Sequence, residues 1–256
     1  MKVCVLSSGS KGNSCLVMTS KTKILIDLGT TSAYVEKTLK NMGIDPSEIK
    51  SILITHTHSD HIKGLKTFIN RYNPTIYVTK DILSLLNEDI GEFNYELYQD
   101  KTAVIDDLVI NVIKISHDAP EAIGFKINHN DKSMVYITDT GFINSKHFKM
   151  LKNSNLYVLE SNHDIKMLMD GPYPYYLKQR VRSDKGHLSN KQSSDYLCEF
   201  IGDETKKIVF AHLSEHNNSE EKVLETFRET VKKNNIDFDN VVIARQNECT
   251  ELIEVW

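Results

Sequence analysis

Paired cysteines are missing from this chain. Its four cysteines, Cys4, Cys15, Cys198 and Cys249, are scattered without paired spacing. They read as reduced core thiols, which predicts a cytoplasmic protein. Long apolar runs are missing too. No stretch approaches the ~20 apolar residues of a membrane span, and the N-terminal run Val3-Cys4-Val5-Leu6 is too short for a signal peptide. There is no excess of positive charge: 31 Lys and Arg face 35 Asp and Glu, a formal net charge of -4. Nothing therefore draws nucleic acid or an anionic membrane to the chain as a whole, and a nucleic-acid reading must rest on local patches. No low-complexity linker or charge run marks a boundary. What remains is an ordinary globular composition, 40% hydrophobic and 26% charged over 256 residues, expected to form a single layered α/β domain over 1–256.

Apolar periodicity predicts strands over residues 3–6, 15–18, 24–27, 51–54, 75–78, 109–115, 156–159 and 208–211, with a hairpin over 123–128 and 134–138. Helical spacing runs over 32–42, ended by Gly43, then over 62–69, 81–86, 189–200 and 219–232. Residues 161–187 show no clear period.

The most informative segment is Thr55-His56-Thr57-His58-Ser59-Asp60-His61. Three imidazoles and a carboxylate follow directly on a buried strand and precede a helix, a usual position for a site in an α/β protein. Neutral imidazole with carboxylate suits zinc and its first-row neighbours. If the chain is still extended through His58, His56 and His58 share one face. Asp60 and His61 are adjacent and must diverge, so they suggest a second ion. Further ligand types stand just past apolar strands: His117, Asp139 and His212. Strand ends of one sheet converge at one edge, so these segments can meet.

His56-x-His58-x-Asp60-His61 with His117, Asp139 and His212 resembles the five-motif signature of the metallo-β-lactamase superfamily, and Asp27 matches the early aspartate that braces its metal loop. Four further stretches, 7–14, 159–164, 186–190 and 211–218, resemble the WalJ/YycJ-like branch of metal-dependent exonucleases. The resemblance implies a four-layer αββα sandwich. It implies that His56, His58 and His117 hold one divalent ion and that Asp60, His61 and His212 hold the other, with Asp139 between them. Zinc is the expected metal, with manganese or iron as alternatives. It further implies a phosphodiester hydrolase in which a metal-bound hydroxide attacks the phosphate, a DNA exonuclease running 5′ to 3′ with single-stranded DNA as partner. Asp60 and His187 are the candidate catalytic residues, His187 protonating the leaving alkoxide. Glu160 and His163 are candidates for orienting ligands.

Two segments are candidate substrate contacts. The loop 7–14 offers Ser8, Ser10, Gly12 and Asn13 to a phosphate, though it lacks the ending and spacing of a P-loop. Residues 172–185 set Tyr173, Tyr175 and Tyr176 beside Lys178, Arg180, Arg182 and Lys185, a mixture suited to stacking bases and pairing phosphates. Tyr176, Lys178 and Arg180 are the expected contacts. The same ligands would also serve a hydrolase of a small thioester, lactone or cyclic phosphodiester.

Overall fold

Strand Leu156–Glu160 shows how the layers arise. Its side chains alternate, as a strand dictates. Val158 packs into one apolar cluster and Tyr157 and Leu159 into another. Strand Lys207–Ala211 does the same, with Val209 on one side and Ile208 and Phe210 on the other. The first cluster also takes Leu6, Leu16 and Leu25 from a second sheet, and the other takes Leu197, Phe200 and Phe227 from helices. Two sheets therefore face each other with helices outside them, the αββα layering.

The computed structural model describes residues 1–255. The first seven-stranded sheet has the order Ile253–Glu254, Lys2–Ser7, Ser14–Met18, Lys23–Ile26, Ser51–Leu53, Thr75–Val78, Tyr95–Leu97. The second has the order Val241–Ile243, Lys207–Ala211, Leu156–Glu160, Lys132–Ile137, Ile123–His129, Leu108–Lys114, Thr102–Ile105. Lys23–Ile26, Ser51–Leu53 and Thr75–Val78 pair in parallel, as do Lys132–Ile137, Leu156–Glu160 and Lys207–Ala211. Their carboxyl ends lie on one edge, which is where the candidate ligands follow.

Some elements differ from the sequence expectation. The helix expected over 62–69 is two helices, Ser59–Ile62 and Leu65–Tyr72, with the break at Gly64. There the backbone passes against residues 28–32: Gly64 N–H donates to Leu28 O at 3.0 Å, and a Cβ on Gly64 would stand 2.4 Å from Thr30 O. The stretch 161–187 contains two short helices, Ile165–Asp170, capped by Asp164, and Tyr175–Val181 after Pro174. Four strands were not foreseen: Tyr95–Leu97, Thr102–Ile105, Val241–Ile243 and Ile253–Glu254. All are edge strands of only two to four residues, about the shortest length over which a period-2 pattern can show.

Gly29 fixes the position of the histidine loop. A Cβ there would lie 1.6 Å from Asp60 O, with Asn13 N 2.7 Å away. Leu28 N–H and Asn13 N–H donate to His61 O and Asp60 O at 2.9 and 2.8 Å, locking three loops together. Gly29→Ala must push the Asp60 backbone away, a clash beyond the ordinary ~1–3 kcal/mol of overpacking. The expected result is a large fall in the denaturant midpoint together with weakened metal binding.

Candidate metal centre

The histidine loop leaves Ser51–Leu53 still extended. His58, at φ -61° and ψ 148°, precedes the helix Ser59–Ile62. His56 Nε2 comes within 3.1 Å of His58 Nδ1, and His117 Nε2 within 3.3 Å of the same nitrogen. Ligands about 2.0–2.2 Å from one tetrahedral ion stand about 3.3–3.6 Å from each other, so these three nitrogens are close to the spacing one metal needs. Asp60, His61, Asp139 and His212 form a second group whose ligand atoms also converge. His61 Nε2 is 3.1 Å from Asp139 Oδ2, and Asp60 Oδ2 is 3.6 Å from His61 Nε2 and 3.8 Å from His212 Nε2. Asp139 lies between the groups, its Oδ1 3.9 Å from His117 Nε2.

The donor atoms fit a cation on a further count. Asp139 Oδ2 and His212 Nε2 are buried and make no hydrogen bond. Two such orphans in one polar site are costly unless a third group satisfies them. Backbone strain points to the same place. Asp27, Asp139 and His212 have φ of 58°, 55° and 55°, left-handed values uncommon outside glycine and found where a site over-determines the chain.

The electrostatics describe an anionic hollow. Burial opposes the His61 cation, but the Asp139 and Asp27 carboxylates outweigh it and raise His61 to about 10. His212 likewise rises well above the usual range, against burial, through Asp139, Asp60 and Glu160. Burial would lift Asp139, yet His212 and His61 hold it well below the usual carboxylate range. His56 is pushed the other way, well below the usual histidine range, by burial and then by the His61 charge. That keeps it a neutral imidazole, the form that binds metal.

The bracing residues are buried carboxylates. Asp27 accepts from Thr55 N–H at 2.8 Å and Thr55 Oγ1 at 2.7 Å, and its Oδ2 is 2.7 Å from His61 Nδ1. Glu160 Oε1 meets His187 Nδ1 at 2.6 Å and His212 Nδ1 at 3.0 Å, while Oε2 accepts from Thr140 and Leu188 N–H at 3.0 and 3.2 Å. Glu160 is held down to about 2: burial resists, but His187 and His212 prevail. Asp27→Ala would leave the Thr55 N–H and the His61 ring without their acceptor. The expected costs are ~10–100-fold in metal affinity and at least ~1–3 kcal/mol of stability. Metal titration and chemical denaturation of the one variant would measure both.

The ligands open on a cleft of about 260 Å³ lined by His58, Asp60, His117, Asp139, His187 and His212, with Ser10, Asp118, Asn162, Tyr173, Arg180 and Ser214 among its other walls. A larger cavity of about 750 Å³ runs between the edge strands Val241–Ile243 and Ile253–Glu254 and contains no histidine. The candidate ligand atoms converge on the smaller one.

The structure sorts the expected substrate contacts. Ser10 and Arg180 line the cleft. Ser8 does not: it is buried, and its Oγ accepts from His212 N–H at 2.8 Å. Asn13 is buried behind the ligands, donating to Asp60 O at 3.3 Å with its Nδ2 3.1 Å from His61 Nε2. Gly12 is turned away, and its carbonyl accepts from Ser7 Oγ and Gln246 Nε2 at 2.8 and 3.0 Å. Lys178 donates to Met169 O at 2.6 Å, at the end of the preceding helix. Tyr176 is 74% exposed and lies outside the cleft wall. The His163 ring is buried, with Nδ1 unpartnered, and its ring makes no hydrogen bond to a ligand among the described residues. Burial lowers it to about 4. Thr55, Asp118, Asn162 and Ser214 were missed. Asp118 carried a signal in its adjacency to His117 at a strand end, and Thr55, Asn162 and Ser214 lie within the segments 55–61, 159–164 and 211–218.

A profile described as a Beta-lactamase superfamily domain matches residues 22–212. The chain is 35% identical to exodeoxyribonuclease YycJ of Bacillus anthracis over 223 residues, 85% of this chain and 84% of that protein. It is 34% identical to exodeoxyribonuclease WalJ of Streptococcus pneumoniae serotype 2 over 226 residues, 86% and 84% of the two chains. Among solved structures, the Zn(2+)-bound PqqB of Methylobacterium extorquens superposes with a TM-score of 0.74 at 15% identity, covering 98% of this chain and 100% of that one. The metallo-beta-lactamase fold protein YhfI of Bacillus subtilis gives 0.72 at 16% identity, covering 97% and 98%. At such identities these two structures speak for the fold alone. No described helix is long and apolar enough to cross a membrane.

Proposed function

Since the chain belongs to the metallo-β-lactamase superfamily, in the branch of YycJ and WalJ, we propose that it is a dinuclear metal-dependent phosphodiester hydrolase acting on DNA as an exonuclease. The observation that carries this reading is the pair of ligand groups on either side of Asp139, opening on the cleft that His187 lines. His56, His58 and His117 would hold one divalent ion, zinc or in its place manganese or iron. Asp60, His61 and His212 would hold the other. When bound, such a pair supplies an acidic water as nucleophile and positive charge to face the phosphate.

The remaining work falls to the chain. His187 Nδ1 is engaged by Glu160, so Nε2 is the nitrogen left for substrate. Burial disfavours the His187 cation, but the Glu160 charge and hydrogen bond raise its pKa above the usual value. That suits a proton donor to the departing alkoxide. Glu160 orients His187 and His212 with one carboxylate, so the proton donor and a metal ligand share one anchor. Ser10 and Tyr173 line the cleft and are candidates to meet a flanking phosphate and base, with Arg180 beside them already paired to Asp118.

The identities to proteins named exodeoxyribonucleases, spread over most of each chain, favour DNA, and a 5′ to 3′ direction is part of the proposal. The small cleft volume favours a second reading, hydrolysis of a small cyclic phosphodiester, thioester or lactone. Digestion of 5′- and 3′-labelled single-stranded DNA and RNA, with zinc or manganese, separates these. Stepwise shortening of DNA from its 5′ end is expected. Intact strands with both metals, alongside rapid turnover of a small ester, would overturn the reading.

A further inference from the structure

The outward nitrogens of the ligand histidines are nearly all accounted for. His61 Nδ1 meets Asp27 at 2.7 Å, His212 Nδ1 meets Glu160 at 3.0 Å, His56 Nδ1 meets Thr55 Oγ1 at 3.1 Å, and His117 Nδ1 meets Gly186 O at 3.3 Å. His58 is reversed. Its Nδ1 faces His56 and His117, so Nε2 is the outward nitrogen. A metal-bound imidazole generally donates that second N–H to a carboxylate or carbonyl, which fixes the ring and strengthens the ligand.

Asp118 Oδ1 lies 3.8 Å from His58 Nε2. This oxygen is buried and accepts no hydrogen bond, the mark of an acceptor with a donor still to find. Its sister Oδ2 accepts from Arg180 Nε at 2.5 Å and is paired with the Arg180 Nη2 as well. Arg180 sits on the helix Tyr175–Val181, so this contact ties the cleft wall to the metal loop. A hydrogen bond from His58 Nε2–H to this oxygen requires the gap to close to about 2.8–3.0 Å.

We propose that Asp118 is the positioning carboxylate of the first metal group: it orients His58, and Arg180 holds it in place. The second group has Asp27 and Glu160 for this purpose, and Asp118 supplies the equivalent on the other side. Arg180 then belongs partly to the metal scaffold and is not a free phosphate clamp. The inference rests on the two-metal reading. The same oxygen is also 3.2 Å from His117 Nε2, so direct ligation is the competing use.

The test loads metal-stripped parent, Asp118→Ala, Asp118→Asn and Arg180→Ala with cobalt(II), following visible absorption and metal content, with circular dichroism and melting as folding controls. The parent should take two ions. Asp118→Ala should bind one of them ~10–100-fold more weakly and leave the other unchanged. Asp118→Asn, whose amide oxygen still accepts a hydrogen bond, should stay within ~10-fold of the parent by the same reasoning, and Arg180→Ala should fall between the two. Tight binding of both ions by Asp118→Ala overturns the proposal. A cobalt spectrum altered as much by Asn as by Ala also overturns it, in favour of direct ligation. A folded parent that binds no cobalt overturns the two-metal reading and this proposal together, whereas a two-metal parent with an indifferent Asp118→Ala overturns this one alone.

Discussion

Asp139→Asn and Asp139→Ala are both expected to lose more than ~100-fold of DNA hydrolysis, since replacing even an outer partner of a metal ligand costs ~10–100-fold. Asp139 is a carboxylate that reaches both ligand groups, with one oxygen 3.1 Å from His61 Nε2 and the other 3.9 Å from His117 Nε2. An amide has no charge to offer two cations. The asparagine variant is the sharper test because asparagine tolerates the left-handed φ of 55° at this position. Its fold should survive, so that lost activity reports lost metal chemistry. Alanine adds backbone strain, and its melting temperature should fall further. Metal content measured on the same samples should drop alongside activity in both variants. A folded Asp139→Asn enzyme with parental turnover would contradict the bridging role.

His187→Ala should separate two substrates. General acid catalysis contributes ~10²–10⁴-fold where the leaving group needs a proton. A DNA alkoxide needs one, whereas p-nitrophenolate does not. Turnover of single-stranded DNA should therefore fall by that factor, and turnover of a p-nitrophenyl phosphodiester by less than ~10-fold on the same argument. Equal losses on both would assign His187 to holding the site together. The distinction is a real one for this residue, because Glu160 links it to the ligand His212, and removal of the ring disturbs that carboxylate. Comparison of metal content between parent and variant shows whether the disturbance reaches the ion.

The candidate ligands were legible because they follow apolar strands, and the strands end within a residue of the expectation: Leu53 before His56, Ile137 before Asp139, Ala211 before His212. Their convergence follows from parallel pairing at the sheet edge, which the period-2 pattern announces. The direction in which polar loop residues face was not legible. Ser8 and Asn13 belong to a loop suited to cradling a phosphate, yet both turn inward to His212, Asp60 and His61. A serine or asparagine serves a buried partner as well as a ligand, and composition does not distinguish them. Lys178 and Arg180 are two residues apart on one helix and part company for geometric reasons: one meets a helix-end carbonyl, the other a carboxylate in the cleft. Asp118 stands next to His117 at a strand end, but only the assembled site reveals its unpartnered oxygen near His58.

On the proposed mechanism, two ions held on either side of Asp139 enable DNA hydrolysis. Titrating metal-stripped protein with zinc or manganese, while following both bound metal and release of nucleotides from labelled single-stranded DNA, tests it most directly. Activity should be absent without metal and reach its plateau as the second equivalent binds. Full activity in the stripped protein, or a plateau reached at one ion with the second group unfilled, would contradict it.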